Sequence, residues 1–285
     1  MSRLQSQVAI VTGSSMGVGR AIANELLQRG ATVVLNGRNP ERLERTRADF
    51  SSQGYSVSAF AGDVSDPSVC RELVEHAVRN HGRLDILVNN AGISMEGEIA
   101  DLAPSVVEKV TQANLFSAIY MTQSALPHLK RTRGSVLFIS SAAGIHGLPR
   151  HSIYSATKMA LTAVVDSLRI EVSASGVHVG IAYLGFTRND PNKTILNAHG
   201  QIVPQPSRDF VKPAPPEEVA RQVVGMIESR RNQRVFSRLG FAVHWMNRFA
   251  PGWVEWFLRR HYSRRYPQHG MLVADRSRRT GGAAA

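Results

Sequence analysis

The chain has 285 residues, 43% of them apolar, a formal net charge of +12 and one cysteine. That length and apolar content suit one large α/β domain or two small ones, and a lone Cys70 excludes an internal disulfide framework or a cysteine-based metal site and favours a reducing compartment. The charge is uneven: from Arg230 onward there are twelve arginines against two acids, Glu255 and Asp275, so the basic character belongs to a C-terminal extension and not to the fold.

The start, MSRLQSQVAIVTG, enters a strand at once and lacks the regions of a signal peptide. No run of about 18 apolar residues occurs, so no transmembrane helix and a cytoplasmic location are expected. Strands are predicted at VAIV from Val8, TVVL from Thr32, SVSAF from Ser56, DILVNN from Asp85, SVLFIS from Ser135 and VHVGIAYL from Val177, with a short seventh at RVF. They are β-branched and little interrupted by polar residues, as strands covered on both faces should be. Helical periodicity marks Val18 to Arg29, Glu41 to Gln53, Ser68 to Asn80, Ser105 to Arg131, Ser152 to Ser175 and Glu217 to Arg231. Cys70, in phase with Leu73, Val74 and Ala77, reads as a buried structural thiol. This alternation predicts a Rossmann-type, doubly wound parallel sheet of about seven strands with helices on both faces. Residues 1–238 would form the catalytic domain and 239–285 an extension. Residues 185–216 show no convincing period and follow the sixth strand, so they read as an irregular substrate lid.

The first strand runs into a turn holding Gly13, Ser15, Gly17, Val18 and Gly19, then into a helix whose free N–H groups suit a pyrophosphate. The second strand ends VVLNGRN, with neutral Asn36 and Gly37 where a carboxylate would meet a ribose 2′-hydroxyl, and Arg38 next. A guanidinium there favours a 2′-phosphate, so NADP(H) is preferred over NAD(H). Asp63 and Val64 close the third strand, where the carboxylate can accept from an adenine amino group. Asn90, Ala91 and Gly92 close the fourth with small residues that let a cofactor approach the backbone.

TGxxxGxG at Thr12–Gly19, NNAG at Asn89–Gly92, a serine thirteen residues before a tyrosine, and YxxxK at Tyr154–Lys158 follow in order. Together they resemble the short-chain dehydrogenase/reductase family, from the N-terminus to about Phe236. A phenol of pKa about 10 exchanges protons poorly at neutral pH unless a cation stabilises its anion, and Lys158, one helical turn from Tyr154, can supply that cation. The resemblance implies that Tyr154 is the general acid/base, that Lys158 also bonds the nicotinamide ribose, that Ser141 holds the substrate oxygen and that Asn114 orders a water in the proton relay. Ser140 would then face away. The family usually has Pro-Gly and then a carboxamide-binding threonine after the sixth strand. Here Leu184 precedes Gly185, which resembles the Leu-Gly of the 11β-hydroxysteroid dehydrogenases, and Asn189 takes the threonine's place; Asn189, Thr187 or backbone groups would orient the amide.

The extension, RLGFAVHWMNRFAPGWVEWFLRRHYSRRYP, reads as two short amphipathic helices bearing Trp245, Trp253 and Trp256. Aromatic anchors beside arginines suit a bilayer interface; an oligomer contact or lid packing is the alternative, and no nucleic-acid groove is indicated. Relatives pair through the two long helices, which implies a homodimer or homotetramer. The expected function is an NADP(H)-dependent oxidoreductase acting on a small-molecule ketone/secondary-alcohol pair, of lipophilic character given the apolar extension, with no metal. The rival is a membrane-associated, cofactor-binding scaffold with little turnover.

Overall fold

Five apolar runs, VAIV, TVVLNG, ILVN, SVLFISS and HVGIAYL, are buried almost throughout and form the centre of one parallel sheet, while its two edge strands, VSAFA and QRV, are only partly buried. The structure is a computed structural model and describes residues 4–206 and 213–265. In chain order its elements are β1 (Val8–Val11), α1 (Gly17–Gln28), β2 (Thr32–Gly37), α2 (Pro40–Ser52), β3 (Val57–Ala61), α3 (Pro67–His81), β4 (Ile86–Asn89) and β5 (Met95–Glu96). There follow α4 (Pro104–Thr111), α5 (Ser117–Thr132), β6 (Ser135–Ser141), α6 (Ser152–Glu171), β7 (His178–Leu184), β8 (Thr194–Asn197), β9 (Ile202–Pro204), α7 (Pro216–Glu228) and β10 (Gln233–Val235). The extension forms α8 (Arg238–Phe249) and α9 (Pro251–Arg265).

The main sheet has the order β10-β7-β6-β4-β1-β2-β3, parallel throughout. The chain winds outward from β1 to β3 and then returns to β4 on the other side of β1. The switch in direction therefore falls between β1 and β4, whose C-terminal ends carry the glycine turn and the NNAG segment; such a crevice is where open α/β sheets take ligands. Ile22, Leu26, Val223 and Ile227 from α1 and α7 join Val11, Val88, Leu137 and Ala182 of the sheet in one buried core. Helix starts follow local chemistry: Asn39 and Asp66 cap α2 and α3 with their side chains, each just before a proline.

Two expectations need correction. The predicted helix from Ser105 to Arg131 is not continuous α-helix: α4 gives way to a π-helical turn over Gln112–Phe116 before α5 begins. A π turn takes up one residue more than an α turn, and the four-residue spacing of buried Val106, Val110, Asn114 and Ala118 carries one face through it, so the pattern alone reads as continuous helix. Residues 185–216 are not irregular throughout. β8 and β9 form an antiparallel hairpin, and β8 pairs in parallel with β5, through Met95 and Leu196, in a second three-stranded sheet. The Asn197 side chain accepts from the backbone N–H groups of His199 and Gln201 and so shapes the hairpin turn. Strands of three and four residues are too short to show a period. Residues 207–212 of the expected lid lie outside the described residues.

The chain divides into two compact units after Phe241. In the second, Trp245 stacks on Phe249 with ring centres 5.7 Å apart, and Trp253 meets Trp256 edge-on at 6.2 Å. Among the described residues no helix is long and apolar enough to cross a membrane.

Candidate active site

The crevice is built first by Thr12, at the end of β1. Its hydroxyl donates to the Val88 carbonyl and accepts from the backbone N–H groups of Asn90 and Ala91, joining β1 to the NNAG segment. Asn90 sends its carboxamide to the Thr12 and Gly13 carbonyls at 2.8 and 3.1 Å, so its side chain braces the glycine turn from below. Gly13 and Gly17 hold left-handed backbone (φ +63° and +56°), which few other residues adopt cheaply. A Cβ on Gly19 would fall 2.3 Å from the Gly13 carbonyl oxygen, so the helix can approach its own turn only with glycine here. Val18 packs from the first turn of α1 onto the core.

This cradle fits a dinucleotide. Beside Gly17, apart from its chain neighbours and its own helix backbone, no atom lies within 4 Å of where a Cβ would stand, and α1 begins with no acidic residue and no side-chain cap, leaving its N–H groups and positive dipole end for phosphate. At the end of β2, Asn36 turns away: its carboxamide donates to the Phe60 and Gly62 carbonyls across to β3. Gly37 lies against the turn, with Ser15 Oγ 3.1 Å from where a Gly37 Cβ would be. Arg38 is 62% exposed and lies 3.6 Å from the Asp63 carboxylate, which also accepts from the Ser65 N–H and hydroxyl. Val64 is buried, its carbonyl taking the Cys70 thiol at 3.2 Å, and burial pushes that thiol up to about 12, an inert structural group as expected.

Asn114 sits in the π turn and is buried. Its Oδ1 accepts from the Ile93 N–H at 2.7 Å, and its Nδ2 donates to the Ile93 carbonyl at 3.0 Å and to Thr157 Oγ1 at 3.2 Å. The one side chain therefore ties the segment after β4 to α6. Gly92 lies between: a Cβ there would stand 2.9 Å from Asn114 Oδ1 and 3.6 Å from Lys158 Nζ.

Lys158 is buried within α6 and donates to the Ile139 carbonyl of β6 at 2.9 Å. Its Nζ stands 5.9 Å from the centre of the Tyr154 ring. Burial, with a smaller contribution from the Lys193 ammonium, pushes the lysine down to about 8, so it still carries its charge at neutral pH. Ser140 does face away, donating to the Lys158 backbone carbonyl, while Ser141 is half-buried at the end of β6 and accepts from the Ala143 N–H at 3.2 Å. Tyr154 is half-buried and packs against an apolar cluster of Met95, Val106, Val110 and Leu196. After β7, Gly185 abuts Ser237, Thr187 Oγ1 is 3.5 Å from the Gly185 carbonyl and its backbone bridges to Ala214, and Asn189 is half-buried.

Sequence reading placed Thr12 only at the head of the glycine motif, with no role, and missed two other contributors. His151, whose ring meets the Met95 carbonyl at 2.5 Å, fastens the start of α6 to β5. Leu196 reaches the tyrosine only through the β5–β8 pairing, which left no local signal.

Known proteins resemble this arrangement over most of its length. A family model described as short chain dehydrogenase matches residues 7–199. The chain is 36% identical over 206 residues to 11-beta-hydroxysteroid dehydrogenase-like 4A of Arabidopsis thaliana, covering 70% of this chain and 67% of that protein. It is 30% identical over 244 residues to dehydrogenase/reductase SDR family member 7B of Danio rerio, covering 83% and 79%. The crystal structure of a dehydrogenase/reductase from Sinorhizobium meliloti 1021 superposes with a TM-score of 0.72 at 25% identity, over 82% of this chain and 94% of that one. A match of this extent makes the chain a member of the short-chain dehydrogenase family, and so an oxidoreductase that uses a nicotinamide dinucleotide to interconvert a ketone and a secondary alcohol.

Proposed function

We propose that this enzyme is NADP(H)-dependent and acts on lipophilic carbonyl compounds, with Tyr154 as general acid/base, Lys158 as its electrostatic partner, Ser141 holding the substrate oxygen and Asn114 ordering the proton relay. One observation carries the catalytic part: Asn114 Oδ1 and Lys158 Nζ both converge on Gly92, and the same ammonium stands 5.9 Å from the Tyr154 ring. A nicotinamide held in this cradle would supply or accept the hydride. Tyr154 gives its phenolic proton to the carbonyl oxygen during reduction and takes it back during oxidation. Lys158, charged and held against the Ile139 carbonyl, lowers the cost of the phenolate that results. Asn114, with both polar atoms fixed on Ile93, keeps the wall of the site rigid at the relay.

Support for NADP(H) comes from the absence of an acid at Asn36 and Gly37 and from the exposed guanidinium of Arg38. Apolar substrate class is supported by the Met95, Val106, Val110 and Leu196 cluster beside Tyr154, and by relatives named as hydroxysteroid dehydrogenases. The test follows nicotinamide absorbance with a carbonyl panel, using Tyr154→Phe as the control that binds dinucleotide without turnover. Apolar ketones should exceed small polar sugars in kcat/KM; the reverse order would remove the lipophilic assignment.

We also assign the extension to an anionic lipid surface. Phe241, Trp245, Met246 and Phe249 are exposed along one face of α8, Trp253, Trp256 and Phe257 along α9, with Arg248, Arg259 and Arg260 among them. Co-flotation with vesicles containing anionic lipid, and not with neutral ones, is the expected result; a shift in oligomeric state on deleting α8 and α9 would reassign these faces to a second copy. Pairing through α4–α5 and α6 into a homodimer or homotetramer is supported by exposed Phe116, Met159 and Ile170 on those segments, and light scattering of the purified chain tests it.

A further inference from the structure

The first turn of α2 carries a second guanidinium at the cofactor end. Arg42 is fixed there by its backbone, which donates to the capping Asn39 side chain at 2.7 Å. Its Nη1 lies 3.1 Å from the sulfur of Met16, the residue that precedes α1 in the glycine turn. Two further contacts draw the same corner together. Thr46, one helical turn beyond Arg42, donates its hydroxyl to the Ser15 carbonyl at 3.2 Å, and Ser15 lies against Gly37 at the end of β2. The glycine turn, the end of β2 and the start of α2 therefore meet where Arg42 projects.

The charge at this corner is not balanced. Arg42 is half-buried, and among the described residues no carboxylate lies within ion-pair distance of it. Of the neighbouring arginines, Arg20 pairs with Asp49, Arg47 with Glu44 and Arg38 with Asp63, while Arg45, also without a carboxylate partner among the described residues, is exposed and donates to the Glu41 carbonyl. A thioether is a weak acceptor, so the guanidinium's five donors are undersupplied by protein. A partly buried cation in that state gains most from an anion brought by a ligand.

We propose that Arg42 is a specificity-determining residue of the dinucleotide site, supplying a second guanidinium to the 2′-phosphate alongside Arg38. The proposal rests on the NADP(H) reading above. A phosphomonoester carries a charge of about −1.5 to −2 at neutral pH, more than one guanidinium offsets, and Arg38 already shares its charge with Asp63. Arg42 brings the charge that no carboxylate has claimed. Its place on a capped helix rather than on the loop after β2 also holds it ready, so less ordering is required on binding.

Calorimetric titration of the full chain with NADP+, NAD+ and adenosine 2′,5′-bisphosphate tests this in the unaltered protein and in Arg38→Ala, Arg42→Ala and Arg42→Lys. Arg45→Ala serves as a control that removes one charge from the exposed side of the same helix. Arg42→Ala should weaken NADP+ and the bisphosphate by roughly tenfold or more while NAD+ changes by less than about twofold, with Lys recovering part of the loss. Unaltered protein that binds NAD+ at least as tightly as NADP+ would overturn the NADP(H) reading and this proposal with it. NADP+ preference that Arg38→Ala abolishes but Arg42→Ala leaves equal to the Arg45→Ala control would overturn the assignment of Arg42 alone. Should the alanine variant fail to fold, the lysine variant and Arg42→Gln carry the same comparison.

Discussion

Lys158 Nζ stands 5.9 Å from the centre of the Tyr154 ring while donating to the Ile139 carbonyl, so one buried cation lies beside the phenol and is held by the sheet. Burying that cation costs stability. Its folded value of about 8 lies below the ordinary 10.5 of an unfolded lysine. The unfolded chain thus binds one more proton between pH 8 and 10.5, and stability from this group rises with pH across that window. At neutral pH the penalty is about 3 kcal/mol, and a methionine that relieves it gives up the hydrogen bond to Ile139, worth about 1 kcal/mol. Lys158→Met should therefore lose turnover yet stabilise the cofactor-free protein by about 1–2 kcal/mol at pH 7, an advantage that fades towards pH 10.5. Denaturant melts across this range check it, and a less stable methionine variant at pH 7 would contradict the argument.

Gly92 leaves no room for a methyl group beside Asn114. Gly92→Ala places a Cβ 2.9 Å from Asn114 Oδ1, and Asn114 cannot retreat without giving up its bonds to Ile93. We expect kcat to fall by roughly tenfold or more, since displacements of this order misplace reacting groups. A variant that keeps wild-type kcat would show that the Asn114 position is immaterial to the chemistry.

Leu196 tests the second sheet. It is nearly fully buried in the cluster that packs on Tyr154, and it arrives there on β8. Leu196→Ala should raise KM for an apolar ketone several-fold and leave the dissociation constant of the dinucleotide unchanged, at a stability cost of about 2–3 kcal/mol. Equal loss of affinity for both ligands would mean that the hairpin supports the fold as a whole and does not shape the substrate side.

His178 predicts acid sensitivity far from the crevice. Burial, followed by the Arg230 guanidinium, pushes this β7 histidine down to about 4, against a smaller opposing pull from the Arg231 carbonyl. The unfolded chain binds the proton near pH 6.5, so stability falls as pH drops from there and levels off below about 4. The loss should reach about 2–3 kcal/mol and be absent from His178→Gln. Melts of both proteins between pH 7 and 4 measure it; parallel curves would exclude His178 as the cause.

Much of this molecule could be read along the chain. Parallel strands buried on both faces need uninterrupted apolar runs, so VAIV or SVLFIS announces a strand without reference to its neighbours. The glycine turn and the Tyr154–Lys158 spacing are equally local, since turn geometry and one helical turn each span only a few residues. Contacts between distant segments decided the rest. Asn114 meets Ile93, 21 residues away, only through a π turn that periodicity does not reveal. Arg42 reaches Met16, 26 residues away, because α2 folds back onto the glycine turn. Residues 194–204 become a sheet because β5 offers β8 an edge. The pairing partner of so short a strand is set by where the core places both segments, and no pattern within either segment encodes it.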